Sequence, residues 1–488
     1  MGRELVLILQ ILFPVVAGCL LFVLNRKDNH NVQKLYVSAV LAIECGLVSA
    51  GSFMQETVVE GFCVTPSIRL LMCNDGLSRI FGVLVAFVWL LVGIYSFRYL
   101  KETKKQVMFY GFYLIALGVL EGLGLAGNLV TFYLFYEWMT LMTVPFVFYN
   151  RTAEATRAGR KYLFYSVAGA SFALAGIFLL SGNAEGLSFA GGGLNADADT
   201  TQVLLAAVLL LLGFGTKAGM FPMHGWLPTA HPVAPAPASA VLSGIITKAG
   251  VLGIIRSMYY VIGAEYLVGT YVQTVFLILA LITVFMGSML AYKEKVLKKR
   301  LAYSTVSQVS YVLFGLALFT PAGLAAALLH MIFHSVIKNG LFLFAGTVIH
   351  QTGEERVEGL CGMGKYMPVT FWCFTFASLA LVGIPPMSGF VSKWYLAKGA
   401  MEAPVGAFSY IGPAVLLVSA LLTAGYLLSV TADGFLPGKD FVEPTPEPGE
   451  GHVSMLIPCG IFAAAALLLG VFASPLVELV TKLGTSLF

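Results

Sequence analysis

The sequence predicts an all-α polytopic membrane protein with about fourteen transmembrane helices. Composition is the first reason: of the 488 residues, 58% are hydrophobic and only 11% are charged, whereas a soluble protein carries about 25% charged residues. The mean hydropathy of +0.86 points the same way. The chain also contains 52 glycines, and small residues let membrane helices approach one another closely. Because one span takes about 20 apolar residues, the length accommodates roughly fourteen spans joined by short loops.

The apolar segments follow one another without an intervening soluble domain. The longest loops hold about twenty residues, too few for a folded module. The layout divides the chain into N-terminal helices 1–3 (residues 1–106), a first five-helix group (107–265), a second five-helix group (266–432) and a C-terminal loop with helix 14 (433–488). The predicted spans cover residues 3–24, 33–55, 76–97, 107–125, 128–149, 161–181, 202–222, 238–262, 268–291, 301–319, 321–350, 367–398, 408–431 and 453–480.

Charged loops predict the orientation in the membrane. Lys and Arg concentrate in odd-numbered loops, and cytoplasmic loops are the ones rich in Lys and Arg. We therefore expect a multi-pass protein of the cell's inner (plasma) membrane with both termini outside. The acidic thirteenth loop, 433–450, does not support the pattern. The basic residues are Arg26, Lys27 and Lys34 in the first loop, Arg98, Lys101, Lys104 and Lys105 in the third, Arg151, Arg157, Arg160 and Lys161 in the fifth, and Lys293, Lys295, Lys298, Lys299 and Arg300 in the ninth, while Glu185, Asp197 and Asp199 make the sixth loop acidic.

Net charge and cysteine spacing narrow the possible functions. The net charge is +4, and nothing in the sequence resembles a nucleic-acid-binding surface. None of the seven cysteines forms a CxxC pair, so the sequence shows no iron–sulfur or zinc framework and predicts no cofactor. Cys63 and Cys73 share one loop and would pair on an oxidising side, but apolar packing is the preferred interpretation.

The stretch 212–231 carries the strongest indication of function. Lys217 lies inside a predicted span, and a charged side chain in hydrocarbon is rarely found without a partner or a task. Pro222 breaks the same helix, and a broken backbone at membrane depth is tolerated only where it lines a cavity or is buried in protein. Together they predict an ion path. The alternative, a lysine that snorkels to the surface, fits less well because apolar sequence precedes Lys217 and the break follows it.

Glu137 lies in the middle of span five among aromatic residues and is the predicted partner of Lys217. Burial disfavours a charged ammonium group, and a neighbouring carboxylate favours it. A lysine balanced between these two effects gains and loses a proton near neutral pH, so moving the carboxylate switches the lysine. The alternative is a structural ion pair that locks two helices together.

Lys248 lies in the middle of span eight, and its own helix holds no carboxylate. Two buried lysines close together repel each other when both are charged, so a single proton shared between Lys217 and Lys248 is favoured over two. This property suits a relay. The alternative is that the side chain packs along the helix while its amine reaches a carbonyl at the helix break.

Span eleven carries His330, His334 and Lys338 at spacings of four, which places all three on one helical face. Histidine titrates near physiological pH, so this stripe indicates a proton wire. A metal site is the competing interpretation, since two histidines at i and i+4 can share an ion. It lacks a third ligand at matching spacing, and Lys338 would oppose a cation, so no metal is predicted.

Span twelve resembles the stretch around Lys217 in its organisation. Pro385, Pro386 and Gly389 are expected to interrupt the helix, and Lys393 follows on the next helical segment. Paired breaks in the two halves of a membrane protein indicate inverted repeats. Spans four to eight and nine to thirteen would be the repeats, on the basis of layout alone.

Four further residues are weaker candidates. Glu44 and Glu121 are acidic residues in or near spans two and four, and Glu121 lies towards the outer end of its span, where it would line an exit. His224 and His231 lie at the Pro-rich run HPVAPAPASA, whose prolines cannot continue a helix, and are expected in a wet loop, with the alternative that they line the path.

Four motifs in a fixed order carry a family resemblance. Roughly residues 75–430 resemble the antiporter-like subunits shared by respiratory complex I, Mrp-type cation/proton antiporters and membrane-bound hydrogenases. The motifs are TKAGMFPMHGWLPTAHPVAPAPASAVLSGIITKAG, LAYSTVSQVSY, HMIFHSVIKNGLFLFAG and GIPPMSGFVSKWYL.

The resemblance implies fourteen helices, with two inverted five-helix repeats in which helices seven and twelve are broken. It implies no redox cofactor within such a subunit. Some members have glutamate at the terminal channel position, where this chain has a lysine. The chain is also expected to differ from the largest members, which carry a long amphipathic helix and an extra span after helix fourteen. The implied roles are a coupling pair of Glu137 and Lys217, a central relay at Lys248, a link to the second half through His330, His334 and Lys338, and a terminal channel residue at Lys393.

The leading hypothesis is an ion-translocating membrane subunit of a larger complex that moves protons, with sodium coupling left open. Other membrane subunits would be its partners, and the drive would come from a redox module or from an Mrp-type antiporter assembly. This chain itself is expected to hold no catalytic residue. The alternatives are a self-contained secondary cation/proton exchanger and a scaffold that has lost transport, the last of which the retained buried charges oppose.

Overall fold

The computed structural model describes residues 2–24, 29–65, 68–184, 186–189, 193–438, 443 and 447–488. Arg26, Lys27 and Glu185, which contribute to the predicted orientation, lie outside these residues. Most of the described chain is helical. The helices are α1 (Gly2–Leu24), α2 (His30–Ser52), α3 (Gly76–Tyr99), α4 (Gln106–Gly124), α5 (Leu129–Val147), α6 (Ala153–Ser181), α7 (Thr200–Ala218), α8 (Leu227–Val233), α9 (Ala236–Val241), α10 (Thr247–Ile255), α11 (Ala264–Leu267), α12 (Tyr271–Lys293), α13 (Leu297–Ala317), α14 (Pro321–Thr352), α15 (Pro368–Val382), α16 (Ser388–Glu402), α17 (Phe408–Phe435), α18 (Val453–Val471) and α19 (Ser474–Thr485).

Short polar side chains cap many of these helices at the positions where the apolar segments begin. The Asp75 carboxylate accepts from the backbone N–H of Ser78 at the start of α3. Asn128 does the same for α5, and Thr320 for α14. Since the first N–H groups of a helix have no partner within it, these caps fix where each helix starts.

Twelve helices in the described part of the chain are long and apolar enough to cross a membrane, or thirteen if the bent pair Val357–Lys365 and Pro368–Val382 counts as one. One of the twelve, Ala236–Ile262, combines α9 and α10 with two π-helical segments, Leu242–Ile246 and Arg256–Ile262. Large apolar side chains such as Phe164 (71% exposed) lie on the outer surface of the bundle, as expected where helices face lipid. The predicted number of fourteen spans stays a prediction.

A β-hairpin departs from the predicted all-α class. Strands β1 (Val58–Thr65) and β2 (Ile68–Cys73) pair antiparallel in the loop between α2 and α3. The hairpin includes both loop cysteines, but Cys63 is exposed, Cys73 is buried, and both are free thiols. Loop segments between helices must satisfy their backbone hydrogen bonds, and a hairpin does so locally.

The long helix α14 forms the centre of the bundle. It has 32 residues, and every residue from Gly323 to Val348 is buried. Around it pack α3, α9, α13, α15, α16, α18 and α19. This position surrounds the predicted stripe His330, His334 and Lys338 with protein on every side.

Both predicted helix breaks are present, but glycines end the helices before the prolines are reached. Helix α7 ends at Ala218, and Gly219 follows with φ +83°. Helix α15 ends at Val382, and Gly383 follows with φ +92°. Glycine adopts this left-handed conformation without steric cost. Pro222 and the pair Pro385 and Pro386 lie in the following non-helical connections.

The prediction that Gly389 interrupts the second broken helix is wrong. Gly389 lies inside α16. A Cβ at this position would lie 1.8 Å from the Ala380 carbonyl oxygen. The missing side chain therefore lets α16 pack directly against the backbone of α15.

Candidate functional site

Lys217 lies at the end of α7 inside a cage of hydroxyl groups. Its amine is buried and donates to Thr140 Oγ1 (2.9 Å), Tyr162 OH (3.1 Å) and Ser166 Oγ (2.9 Å). The amine also lies 4.6 Å from the centre of the Tyr162 ring, which adds a cation–π attraction. Helices α5 and α6 thus supply three neutral oxygens to one membrane-embedded amine. None of these three partners was predicted from the sequence.

Glu137, the predicted partner of Lys217, makes no salt bridge with it among the described residues, since no described carboxylate oxygen lies within 4.0 Å of the Lys217 amine. Glu137 lies one helical turn before Thr140 on α5, which places both on the same face. The two charged groups interact electrostatically across that turn. The Glu137 Oε1 atom is buried and has no hydrogen-bond partner among the described residues. Hydroxyl groups therefore hold the Lys217 amine, and the Glu137 carboxylate lies beyond hydrogen-bond distance from it.

Lys248 joins the two halves of the protein. Its fully buried amine lies 2.8 Å from His334 Nδ1 of α14 and donates to the Ser243 carbonyl oxygen at 2.7 Å. Ser243 belongs to the π-helical segment that precedes α10, where the wider helix leaves carbonyl groups free for a side-chain donor. The carbonyl that Lys248 reaches thus belongs to its own helix, Ala236–Ile262, and not to a helix break, and its titratable neighbour is His334.

The stripe on α14 continues from His334 towards α16. The His330 and His334 rings lie 6.1 Å apart between centroids and are nearly parallel. His330 Nδ1 lies 2.9 Å from Ser392 Oγ of α16. The His330 ring also stacks on Tyr311 of α13 at 5.3 Å. Among the described residues, no group of three or more His, Cys, Asp or Glu side chains is arranged to hold a metal ion.

Lys393 lies at the second helix break. Its amine donates to the carbonyl oxygens of Leu381 (2.7 Å) and Val382 (2.9 Å), the last residues of α15. These carbonyls have no partner within the helix, and the end of a helix attracts a positive charge. The amine also lies 5.1 Å from the centre of the Tyr311 ring. Tyr311 thus contacts both Lys393 and His330.

Lys338, the last residue of the stripe, connects to Lys248 by an indirect route. Its buried amine donates to the Leu301 carbonyl oxygen at 3.0 Å. The same carbonyl accepts from Thr305 Oγ1, which lies 2.6 Å from Ser243 Oγ. Since the Ser243 carbonyl accepts from Lys248, a chain of hydroxyl and carbonyl groups joins the two lysines.

The predicted residues therefore form two groups rather than one continuous line. One group lies around α14 and contains Lys248, His334, His330, Lys338 and Lys393. Lys217, Glu137 and the hydroxyl cage form the other group. No hydrogen bond between described residues joins the two groups, although α10 packs closely on the end of α7. At Gly250 a Cβ would lie 2.4 Å from the Phe214 carbonyl oxygen.

A buried ion pair outside both groups was not predicted from the sequence. The Arg256 guanidinium forms a bidentate salt bridge with the Asp75 carboxylate and donates to Ser78 Oγ at 2.9 Å. The guanidinium also lies 4.7 Å from the Phe189 ring and 4.5 Å from the Tyr260 ring. The signal was present in the sequence, because an arginine in an apolar run needs a partner. The pair ties the start of α3 to the end of span eight.

Three of the four weaker candidates are buried: Glu44, Glu121 and His231. The expectation of a wet loop is wrong for His231, which is fully buried and stacks on Phe342 of α14 at 4.9 Å. Glu44 and Glu121 are also buried and interact electrostatically with each other. Neither Glu44 oxygen has a hydrogen-bond partner among the described residues.

Known proteins resemble this chain along nearly its whole length. Residues 126–423 match the protein family described as "NADH:quinone oxidoreductase/Mrp antiporter, TM". The chain is 33% identical to NADH-quinone oxidoreductase subunit N of Desulforudis audaxviator, over 96% of each protein. It is 29% identical to a Na(+)/H(+) antiporter subunit from Bacillus subtilis, over 96% of this chain and 95% of that protein. In a solved structure of the Mrp complex from a Dietzia species, a chain of 24% identity shares the fold with a TM-score of 0.87, covering 100% of this chain and 98% of that one.

Proposed function

This chain belongs to the NADH:quinone oxidoreductase/Mrp antiporter family of membrane subunits, and from that premise we propose that it translocates protons across the membrane as one subunit of a larger complex. The path runs along Glu137, Lys217, Lys248, His334 and Lys393. Relatives named as Na(+)/H(+) antiporter subunits extend the proposal to sodium as a coupled ion. The relatives' names as subunits support other membrane subunits as partners.

The single observation that carries the proposal is the buried contact between Lys248 Nζ and His334 Nδ1 at 2.8 Å. An amine and an imidazole at hydrogen-bond distance can exchange a proton without moving either helix. Burial excludes bulk water, so a proton that enters this pair leaves by way of a neighbouring titratable group. His330 and Lys393 supply such neighbours on one side.

Water is proposed to complete the path where side chains do not touch. Buried polar atoms in proteins almost always have partners. His334 Nε2 and Ser388 Oγ are buried without a hydrogen-bond partner among the described residues, as is Glu137 Oε1. Bridging water molecules would satisfy these atoms, and they would also connect the Lys217 cage to Lys248.

The proposed architecture has fourteen spans, two more than the twelve apolar helices. Helix α13 is long enough to cross, since its 21 residues rise about 1.5 Å each, but Lys298 and Arg300 in its first turn make it less apolar. The broken pair α15 and α16 supplies the other span.

Within this architecture, residues 107–265 and 266–432 form two inverted five-helix repeats, with helices 1–3 in 1–106 before them and 433–488 after them. In each repeat a glycine with positive φ ends the broken helix, and a proline follows three residues later: Gly219 with Pro222, and Gly383 with Pro386. We further propose the plasma membrane as the location, with both termini outside, because Lys and Arg concentrate in odd-numbered loops.

The test uses the intact complex in sealed vesicles, with proton uptake followed by a pH-sensitive dye. Lys248→Met is expected to reduce uptake by about tenfold or more, because methionine is also unbranched and only one heavy atom shorter but has no group that binds a proton. Lys217→Ala is expected to do the same while the complex still assembles. Lys295→Met is the matched control, since Lys295 is an exposed loop lysine paired with Glu358.

Two results would contradict the proposal. Pumping that survives Lys248→Met or Lys217→Ala at the control level would exclude the relay. Cation/proton exchange by the purified chain alone in vesicles would favour a self-contained exchanger over a subunit.

A further inference from the structure

A large apolar cavity lies away from the titratable residues, at one end of the bundle. Its volume is about 650 Å³. Helices α2 and α18 end beside it, and α3 and α19 begin beside it. Its walls come from apolar side chains of α3, α14, α18 and α19, including Val83, Ile332, Val336 and Leu468. Val83 is 45% exposed, so the cavity opens sideways towards the lipid.

One charged residue, Arg79, lines this mainly apolar cavity, whose lining also includes Ser52. Arg79 lies in the first turn of α3, and one of its guanidinium nitrogens donates to the Asn74 carbonyl oxygen at 3.0 Å. Its Nε atom is buried and has no hydrogen-bond partner among the described residues. No described carboxylate lies within 4.0 Å of the guanidinium. The half-buried Arg79 guanidinium, which has no carboxylate partner, therefore lies at the opening of the apolar cavity.

This combination matches the chemistry of a phospholipid. A guanidinium group binds phosphate oxygens through two parallel hydrogen bonds, and basic residues between membrane helices attract anionic head groups. From Arg79 to Phe87 on α3 the lining extends eight residues, which is about 12 Å along the helix axis. An acyl chain can thus enter the apolar part while its head group stays at Arg79.

We propose that this cavity binds one anionic phospholipid, with its phosphate on Arg79 and an acyl chain between α3, α14 and α18.

A lipid bound in this cavity would contact α14 on the side away from its histidines. Ile332 and Val336 point to the opposite side of this helix from His330 and His334, because residues two apart on a helix differ by about 200°. The lipid therefore packs against the back of the helix that carries the histidine stripe.

The experiment measures lipid retention by native mass spectrometry, independently of ion transport. The full chain, with any subunits that remain bound, is equilibrated with equal amounts of phosphatidylglycerol and phosphatidylcholine. We expect one phosphatidylglycerol to be retained in preference. Arg79→Gln is expected to reduce this preference about fivefold, since one basic residue contributes about 1 kcal/mol to binding anionic lipid. Arg79→Lys should keep most of it.

Two further variants define the site. Val83→Trp is expected to reduce retention of both lipids because the indole fills the cavity mouth. Arg69→Gln is the control, since Arg69 is exposed and paired with Glu60 at 2.6 Å, and its lipid retention should equal that of the wild type. The proposal is overturned if Arg79→Gln retains phosphatidylglycerol like the control, or if Val83→Cys cross-links to a neighbouring subunit in place of lipid.

Discussion

Replacing Gly250 by alanine tests how tightly α10 is held against the end of α7. A Cβ at this position would lie 2.4 Å from the Phe214 carbonyl oxygen and 2.6 Å from the Ala218 nitrogen. Both neighbours are backbone atoms, so neither can rotate away. Ordinary contact begins at 3.4 Å, so the two helices must separate by about 1 Å.

The expected cost follows from two opposing effects. Overpacking of a buried interface destabilises by about 1–3 kcal/mol. Alanine is also a better helix former than glycine by about 1 kcal/mol, which partly offsets that cost. Gly460→Ala separates the two effects, because Gly460 lies inside α18 with nothing within 4 Å of its Cβ position. We therefore expect Gly250→Ala to be less stable than Gly460→Ala by about 1–3 kcal/mol.

The measurement is unfolding of the purified protein in mild detergent, followed by helical circular dichroism. Proton uptake by the reconstituted complex is the second readout, since Lys217 lies at the displaced end of α7 and a misplacement of about 1 Å can cost a hundredfold in rate. Equal stability of the two alanine variants would refute the close packing of α10 on α7. It would also remove the structural reason for treating Lys217 and Lys248 as neighbours in one path.

Three other predictions concern buried contacts. Arg256→Gln leaves the Asp75 carboxylate buried without its partner and is expected to lower stability by about 3–5 kcal/mol; adding Asp75→Asn should restore part of it, and thermal unfolding of the single and double variants checks this. Tyr162→Phe removes one hydroxyl from the Lys217 cage but keeps the aromatic ring, so a loss of about 1–3 kcal/mol in stability and several-fold slower proton uptake are expected; unchanged uptake would show that the hydroxyl has no role. Gly389→Ala places a Cβ 1.8 Å from a backbone oxygen and should destabilise more than Gly250→Ala in the same unfolding assay.

The sequence was sufficient to predict the membrane class and most helix positions, because each depends on local composition. A run of about 20 apolar residues is a span whatever surrounds it. Predicted span 238–262 corresponds to the continuous helix Ala236–Ile262, and predicted span 408–431 lies within α17. The two helix breaks were also predictable. The sequence analysis assigned them to prolines, whereas in the structure glycines with positive φ end both helices.

The hairpin β1–β2 was not predicted, because its residues were interpreted as a loop between spans. Its pairing joins residues as far apart as Val58 and Cys73. Pairing of this kind depends on register between two segments, which hydropathy does not report.

The charged positions in the membrane were evident from the sequence alone, since a lysine, glutamate or histidine in an apolar run is unusual wherever it occurs. Only the tertiary structure decided their partners. Helical periodicity places His330 and His334 on one face, but the rotation of each helix about its axis and its neighbours are set by packing of the whole bundle. For that reason the Lys217 amine forms hydrogen bonds with hydroxyl groups and not with Glu137, while the Lys248 amine lies at hydrogen-bond distance from His334.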